Sequence, residues 1–365
     1  MEKRSSPSRS YGLKDSALYT KKKLPANKGK MNKLVSILIP AYNAENWINE
    51  TINSALNQVW PSKEIIIVDD GSKDNTYNYA RKYESKNVKI KRQENRGACA
   101  ARNTALELAQ GDYVQWLDAD DLLAPDKISR QLGYNNGEIA PDILLSSSFG
   151  TFYYSIKRAK FTPHRLWQDL SPVDYFLFKF DENIWMNPAV FLVSREITEK
   201  AGPWDEKLTR DDDGEYFCRV VSVCKMVKFI SDAKCYYRVG NISLSKNTTE
   251  KAMESMVLSA CLCIQSLMSL EKSSRTRTAS LKYLQYLMPY IYHNLSNPLD
   301  SSIFHQMNAI AEGLGGTLHP PVYQWKYNMI RYIFGRNTAE KMKFIWWRIN
   351  EETRKKYDNV YHVLR

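Results

Sequence analysis

Residues 34–74 read LVSILIPAYNAENWINETINSALNQVWPSKEIIIVDDGSKD and contain the pattern that decides the fold. The short apolar run Leu34–Ile39 is typical of a buried strand, and it stops at Pro40. Apolar residues then recur at helical spacing as far as Val59, and Glu64–Val68 forms a second apolar run. A strand, a helix and a further strand in this order predict the start of a parallel sheet covered by helices.

The same alternation continues to residue 117, with helices predicted over 74–84 and 98–109 and strands over 88–91 and 113–117. We therefore predict an α/β fold with a mainly parallel sheet over residues 33–245, whose ligands bind beyond the carboxyl ends of the strands. After residue 245, helical spacing predicts a helical C-terminal region over 246–365. Pro289 is expected to kink one of these helices or end it early.

The net charge of +12 is concentrated at the two ends of the chain. Residues 1–33 contain ten Lys or Arg against two acids, and residues 323–365 contain ten against four. Residues 1–32 have no apolar period, so we expect a disordered basic leader, and Met31 is an alternative start of translation. Because the basic residues lie outside the predicted folded body, without any nucleic-acid motif, we expect no nucleic-acid partner.

Two stripes of apolar and aromatic residues near the C-terminus are flanked by basic residues, over 323–334 and 342–349. Such helices suit an anionic membrane surface, and packing against the catalytic domain is an equally weighted alternative. We found no run of about 18 apolar residues, the length that a spanning helix needs. The sequence therefore predicts a cytoplasmic protein, and the membrane interpretation of the two stripes would place it on the inner face of the plasma membrane. Six cysteines without a CxxC pair predict reduced thiols.

Acidic residues follow the predicted strands, at positions where a hydrophobic core would not accept a charge. Asp118 and Asp120 come directly after the strand that ends at Leu117. In extended backbone, residues two apart point to the same side, so this pair can hold a hard divalent cation through oxygen ligands. The sequence predicts Mn²⁺ or Mg²⁺ at Asp120, with diphosphate oxygens and water completing the shell. The cation would neutralise charge on a departing diphosphate.

Asp69 follows the second strand, and two interpretations of it stay open. In a crevice at the strand ends, its carboxylate can accept the imide N–H of uracil or the N1–H of guanine, with the ring of Tyr42 packed on the base. Alternatively, Asp69 caps the turn before the helix predicted to begin at Asp74.

The motifs in residues 35–128 resemble those of the inverting family-2 glycosyltransferases of the GT-A fold. The matching segments read VSILIPAYNAENWI, EIIIVDDGSKDNT and NRGACAARNTALELAQGDYVQWLDADDLLAPDKI. Asn187–Arg195, Gly202–Leu208 and the acidic segment Asp212–Arg219 resemble the second half of that family domain. The resemblance covers roughly residues 34–240 and implies transfer of a sugar from a nucleotide diphosphate to an acceptor hydroxyl.

The resemblance also assigns roles to residues. Asp120 would bind the metal and Asp213 would be the general base. The family has Glu-Asp where this chain has Asp212-Asp213, and Asp211 adds a third acid, so Asp212 is the alternative base. The expected contacts of the nucleotide sugar are Pro40, Tyr42, Glu45, Asp69, Arg96 and Asp118.

The expected function is an inverting, metal-dependent transfer from a nucleotide diphosphate sugar, with uracil preferred, in the synthesis of cell-surface polysaccharide or glycoconjugate. The expected acceptor is a glycan or a lipid-linked glycan. Two alternatives are a catalytically inactive relative that serves as a binding or scaffold protein, and a sugar nucleotidyltransferase. The glycine-rich phosphate loop that is usual in a sugar nucleotidyltransferase is missing near the first strand. No GxGxxG follows that strand either, so an NAD-dependent enzyme has no support.

Overall fold

A computed structural model describes residues 33–240, 249–294 and 301–320. The strands are β1 (Val35–Ala41), β2 (Lys63–Asp69), β3 (Val88–Arg92), β4 (Tyr113–Trp116), β5 (Leu122–Leu123), β6 (Ile143–Phe152), β7 (Lys160–Phe161), β8 (Val193–Ser194) and β9 (Met226–Arg238). The helices are α1 (Ile48–Leu56), α2 (Thr76–Arg81), α3 (Ala98–Leu108), α4 (Lys127–Leu132), α5 (Pro172–Glu182), α6 (Arg195–Ala201), α7 (Asp212–Ser222), α8 (Glu250–Leu270), α9 (Ser274–Asn294) and α10 (Ser302–Gly313).

The main sheet has the strand order β3-β2-β1-β4-β8, in which the first four strands are parallel and β8 is antiparallel to β4. Nearly every residue of β1, β2 and β4 is buried, which is why the sequence shows continuous apolar runs rather than alternation. The predicted α/β fold is confirmed. The order brings the carboxyl ends of β2, β1 and β4 to one edge, side by side.

A second sheet, in the order β5-β9-β6-β7, is formed by strands that follow β4 in the chain. The long strand β9 pairs parallel with β6 and antiparallel with β5. Its last residue, Arg238, is thereby held beside the loop that follows β4, and this contact proves important for the site.

The helical C-terminal region predicted from the sequence is confirmed over its described part. Helix α8 packs against α7, and the Ser259 hydroxyl donates to the backbone oxygen of Asp211 at 2.8 Å. Ser255 makes the same kind of bond to Arg210, also at 2.8 Å. Helix α9 continues five residues beyond Pro289, so the expectation that this proline ends the helix early is wrong.

Helix α8 also corrects the expectation about membrane spans. Over 250–270 it is long and apolar enough to cross a bilayer, although its polar residues interrupt every apolar run. Half of its most apolar stretch is buried inside the protein, against α7 and α9. Its packing on α7 and α9 accounts for the buried half of this apolar stretch. The predicted leader over 1–32 and the basic aromatic stripes after residue 320 lie outside the described residues, and the predictions about them stay predictions.

Candidate active site

Tyr42 and Asp69 both lie at the carboxyl edge of the main sheet. Ala41 pairs with Asp69 in the parallel register of β1 and β2, and the Asp70 amide donates to the Ala41 oxygen at 2.8 Å. Tyr42, the next residue after β1, is 46% exposed. A half-exposed aromatic residue and a buried carboxylate therefore lie at the same edge of the sheet.

The two carboxylate oxygens of Asp69 have different surroundings. Oδ2 accepts the Ser72 amide at 3.3 Å and lies 3.2 Å from Nε of Arg92. Oδ1 is buried and has no hydrogen-bond donor within the described part of the chain. A buried acceptor without a donor costs about 1–3 kcal/mol. One oxygen thus shapes the turn, as the capping interpretation requires, and the other is available to an N–H group from a ligand.

The neighbouring Asp70 holds the protein's own loops together. Its carboxylate accepts the amides of Arg96 at 3.0 Å and Gly97 at 2.8 Å, which anchors the start of α3. Gly71 follows with φ +72°, where a Cβ would lie 2.8 Å from the backbone nitrogen of Asn95. The two adjacent aspartates therefore differ in role, because Asp70 is saturated by backbone amides and Asp69 is not.

Of three other residues predicted to contact the nucleotide sugar, two are bonded to other parts of the protein and one lies within a strand. Glu45 accepts the Asn75 amide at 3.0 Å and so joins the loops after β1 and β2. The Arg96 side chain donates to Glu206 at 3.1 Å, and both groups are exposed. Pro40 lies within β1, opposite Val68. Their roles in binding a nucleotide sugar stay predictions.

The loop after β4 is fixed by Asp121 and Arg238. Asp121 is fully buried, and it accepts the Arg238 amide at 2.8 Å and the Asn187 side-chain amide at 2.5 Å. The Arg238 guanidinium, itself buried, donates to the Asp120 backbone oxygen at 2.9 Å and to Glu50 at 2.6 Å. These bonds hold Asp118 and Asp120 in a fixed backbone geometry at the edge of the crevice.

The carboxylates of this loop crowd one another. Burial and the neighbouring Asp118 carboxylate raise the pKa of Asp120 to about 6. Burial, with Asp120 and Asp118, also raises the pKa of Asp121 well above its usual value. A divalent cation would relieve this repulsion, so Asp120 and Asp118 fit a metal by their chemistry. The described residues contain no metal-site cluster of three or more acidic, His or Cys side chains, so donor oxygens and water would supply most of the shell.

A buried arginine on α3 connects this loop to the acidic segment of α7. Arg102 donates to Asp118 at 3.0 Å and to Asp212 at 2.5 Å, and its guanidinium stacks 4.4 Å from the Trp204 ring centre. Although burial disfavours its charge, the Asp212 and Asp118 carboxylates raise the pKa of Arg102. The arginine therefore stays charged and balances one carboxylate from each side of the crevice.

The three consecutive aspartates at the start of α7 are distinguished by their partners. Asp211, in the left-handed conformation at φ 58°, is the N-cap residue of α7 and accepts the Ser259 hydroxyl at 2.7 Å. Asp212 is paired with Arg102. Asp213 accepts only the adjacent Gly214 amide, at 2.9 Å, and forms no ion pair with any residue that the structure describes.

Asp213 has the properties of a proton acceptor at neutral pH. Burial, and then the charges of Asp212 and Asp211, raise the pKa of Asp213 to about 7. Its side chain lines a small pocket together with Tyr175, Lys179, Met186 and Phe217. A general base works best with a pKa close to the operating pH, and a free carboxylate with a pKa near 7 meets this requirement.

Sequence reasoning missed Arg102, Asp121 and Arg238. A signal for Arg102 existed, because Cys99 and Ala105 lie three residues to either side of it on the buried face of α3. A charged residue on such a face needs a buried partner. Arg238 gave no such signal, because β9 carries three other charged residues.

Sequence comparisons agree with this geometry. The family described as Glycosyl transferase family 2 matches residues 36–185. A putative teichuronic acid biosynthesis glycosyltransferase of Bacillus subtilis, TuaG, is 46% identical over 104 residues, 28% of this chain and 41% of the relative. An Escherichia coli protein named UDP-Glc:alpha-D-GlcNAc-diphosphoundecaprenol beta-1,3-glucosyltransferase, WfaP, is 39% identical over 129 residues, 32% of this chain and 51% of the relative. The chain thus spans about half the length of these relatives.

Solved structures extend the similarity beyond the matched sequence. Residues 1–349 of S. aureus TarS superpose with a TM-score of 0.56 at 18% identity, over 77% of this chain and 79% of TarS. The same protein in complex with UDP-GlcNAc gives a TM-score of 0.53, over 77% of this chain and 88% of TarS. Such a likeness concerns the fold. Residues 36–185 are therefore a glycosyl transferase family 2 domain, and the chain has the GT-A fold.

Proposed function

We propose that this protein transfers a sugar from a uridine diphosphate donor to an acceptor hydroxyl, with inversion, in the synthesis of a cell-surface polysaccharide or glycoconjugate. The observation that carries the proposal is the Arg102 bridge. It joins Asp118, after β4, to Asp212, at the start of α7, and the Asp118 charge contributes to the raised pKa of the adjacent Asp213.

The donor base is proposed from Asp69 and Tyr42. The buried Oδ1 of Asp69 needs a donor, and the imide N–H of uracil supplies one at the edge of the base. The half-exposed Tyr42 ring can cover the face of the same base. The name of WfaP specifies a UDP-linked donor, and TarS is known in complexes with UDP and UDP-GlcNAc, which supports this choice.

Asp120, supported by Asp118, is the proposed holder of a divalent cation. When bound, the cation would neutralise the charge that develops on the departing diphosphate. The protein's own contribution is to fix the two carboxylates. Arg238 and Asp121 set the backbone of the loop, and Arg102 keeps the Asp118 carboxylate in place by a charge-assisted bond.

Asp213 is the proposed base. It accepts the proton of the acceptor hydroxyl, whose oxygen attacks the anomeric carbon while the bond from that carbon to the diphosphate oxygen breaks. A single displacement of this kind inverts the anomeric configuration. Asp212 is less suited to the role, because its Oδ2 is held by Arg102 in an ion pair.

The acceptor is proposed to be a glycan, carried on a lipid when the enzyme docks at the inner face of the plasma membrane. The named acceptor of WfaP is a sugar linked through a diphosphate to a polyprenol. This part of the proposal rests on that relative and on the basic ends of the chain.

The experiment is to incubate the full chain with UDP-Glc, UDP-GlcNAc and UDP-Gal, with and without MnCl₂, and to measure released UDP. Metal-dependent release from at least one donor is the expected result. The anomeric configuration of the product, followed by proton NMR, tests inversion, and retention of the donor's configuration contradicts it. Tight UDP binding without release from any donor would instead support an inactive, ligand-binding relative.

A further inference from the structure

Trp185 is the one exposed tryptophan in the part of the chain that the structure describes. It lies in the segment between α5 and β8, and 47% of it is accessible to solvent. Trp is a favoured residue where a surface receives a ligand, because it offers a large and rigid ring.

The Trp185 ring is supported on its inner side. Its centre lies 5.1 Å from that of Tyr237 on β9, with the two planes tilted by 66°. It lies equally far, 5.1 Å, from the buried Phe149 ring on β6. Two ring contacts from two neighbouring strands hold the indole in position, so its exposed face forms a rigid platform.

Three independent links place this platform at the crevice. Asn187, two residues after Trp185, donates to Asp121 of the loop that follows β4. Met186 lines the same small pocket as Asp213. Tyr237, which contacts Trp185, lies among the acids of the site, because burial and then Asp121, Asp120, Asp118 and Asp213 all raise its pKa.

The platform lies on the acceptor side of the crevice. The proposed base-binding pair, Tyr42 and Asp69, follows β1 and β2, whereas Trp185 is supported by β6 and β9 of the second sheet. Its neighbour Met186 borders the proposed general base rather than Asp69. Trp185 is thus directly next in the chain to a residue that lines the pocket of the proposed base.

We propose that Trp185, supported by Tyr237, forms an acceptor subsite that packs against the apolar face of a neutral pyranose ring and presents its hydroxyl to Asp213. The proposal rests on the proposed function. The C–H face of a pyranose matches an aromatic ring, while its hydroxyls stay free to form hydrogen bonds at the rim. The surrounding carboxylates disfavour an anionic group at this position, which is why a neutral sugar fits better than a phosphate.

The test measures transfer to a panel of n-octyl β-glycosides (glucoside, galactoside and N-acetylglucosaminide), with the UDP-sugar that the wild type hydrolyses fastest. Trp185→Ala should raise the KM for the glycoside about tenfold or more, since it removes the whole stacking surface. The KM for the UDP-sugar and the rate of its hydrolysis by water should stay unchanged. Trp185→Phe keeps a ring, so its KM for the glycoside should fall between those of the wild type and Trp185→Ala.

Leu108→Ala is the control, because Leu108 is also partly exposed but ends α3 at the opposite edge of the sheet. It should change neither KM. The proposal is overturned if Trp185→Ala has the same KM for the glycoside as the wild type. It is also overturned if the KM for the donor rises as much as the KM for the glycoside. It is also overturned if wild type hydrolyses the donor but no glycoside accelerates UDP release. If wild type neither binds UDP nor hydrolyses any UDP-sugar, the proposed function fails and this inference fails with it.

Discussion

The guanidinium of Arg102 donates a hydrogen bond to Asp212, with 2.5 Å between Nη1 and Oδ2. The two residues are 110 positions apart, on α3 and α7, and both are buried. The bond has two consequences. It joins the part of the chain that carries the donor motifs to the part that carries the acidic segment. It also pairs Asp212, whereas Asp213 forms no ion pair with any residue that the structure describes.

Removal of the Arg102 charge should destabilise the fold. Arg102→Met leaves two carboxylates close together in a buried place, and breaking a buried pair from one side costs about 3–5 kcal/mol in the free energy of unfolding. The control is Arg96→Met, whose partner Glu206 is exposed like Arg96 itself, and which should cost at most about 1 kcal/mol. Urea unfolding measures both. An equally small loss in the two variants would show that the bridge does not hold the site together.

Donor binding should depend on a divalent cation through Asp120. Asp120→Asn should remove the effect of Mn²⁺ on UDP affinity in calorimetry and abolish transfer, while the melting temperature stays near that of the wild type. Asp126→Asn is the matched control, because that acid pairs with Arg130 at the start of α4. Full transfer by Asp120→Asn, or by wild type in excess chelator, would contradict a role for the cation.

UDP should compete with the donor, whereas CDP and ADP should compete poorly. Neither cytosine nor adenine presents a ring N–H to Oδ1 of Asp69, and an unsatisfied buried acceptor costs about 1–3 kcal/mol, which is roughly 5- to 150-fold in affinity. GDP and dTDP can each supply such an N–H and are the informative competitors. Equal competition by ADP and UDP would show that Asp69 does not read the base.

The transfer rate should fall as the pH drops through about 7. Burial and the neighbouring acids raise the pKa of Asp213 to about 7, and a base acts only in its unprotonated form. Below that pKa, kcat/KM should lose about tenfold per pH unit, while UDP affinity at saturating Mn²⁺ changes much less. A flat profile of kcat/KM between pH 5.5 and 8 would be inconsistent with a base of this pKa.

Much of the fold follows from local sequence, and the site follows only in part. The buried runs of β1 and β2 and the positions of Asp69 and Asp118 were predictable, because parallel strands bring their carboxyl ends together. The choice between Asp212 and Asp213 was not, since it depends on Arg102 from a distant helix. Likewise, the composition of α8 alone is that of a membrane-spanning helix, and its packing on α7 is visible only in the structure. The partners of Glu45 and Arg96 also came from other loops, which no local pattern reveals.

The most direct test compares Asp213→Asn with Asp212→Asn in single-turnover transfer at pH 7.5, with UDP affinity measured in both variants. Asp213→Asn should keep UDP affinity and lose transfer by about 10²- to 10⁴-fold, the usual contribution of a general base. Asp212→Asn should lose less transfer but more stability, because it breaks the pair with Arg102. An inactive Asp212→Asn beside an active Asp213→Asn would contradict the account and assign the base to Asp212.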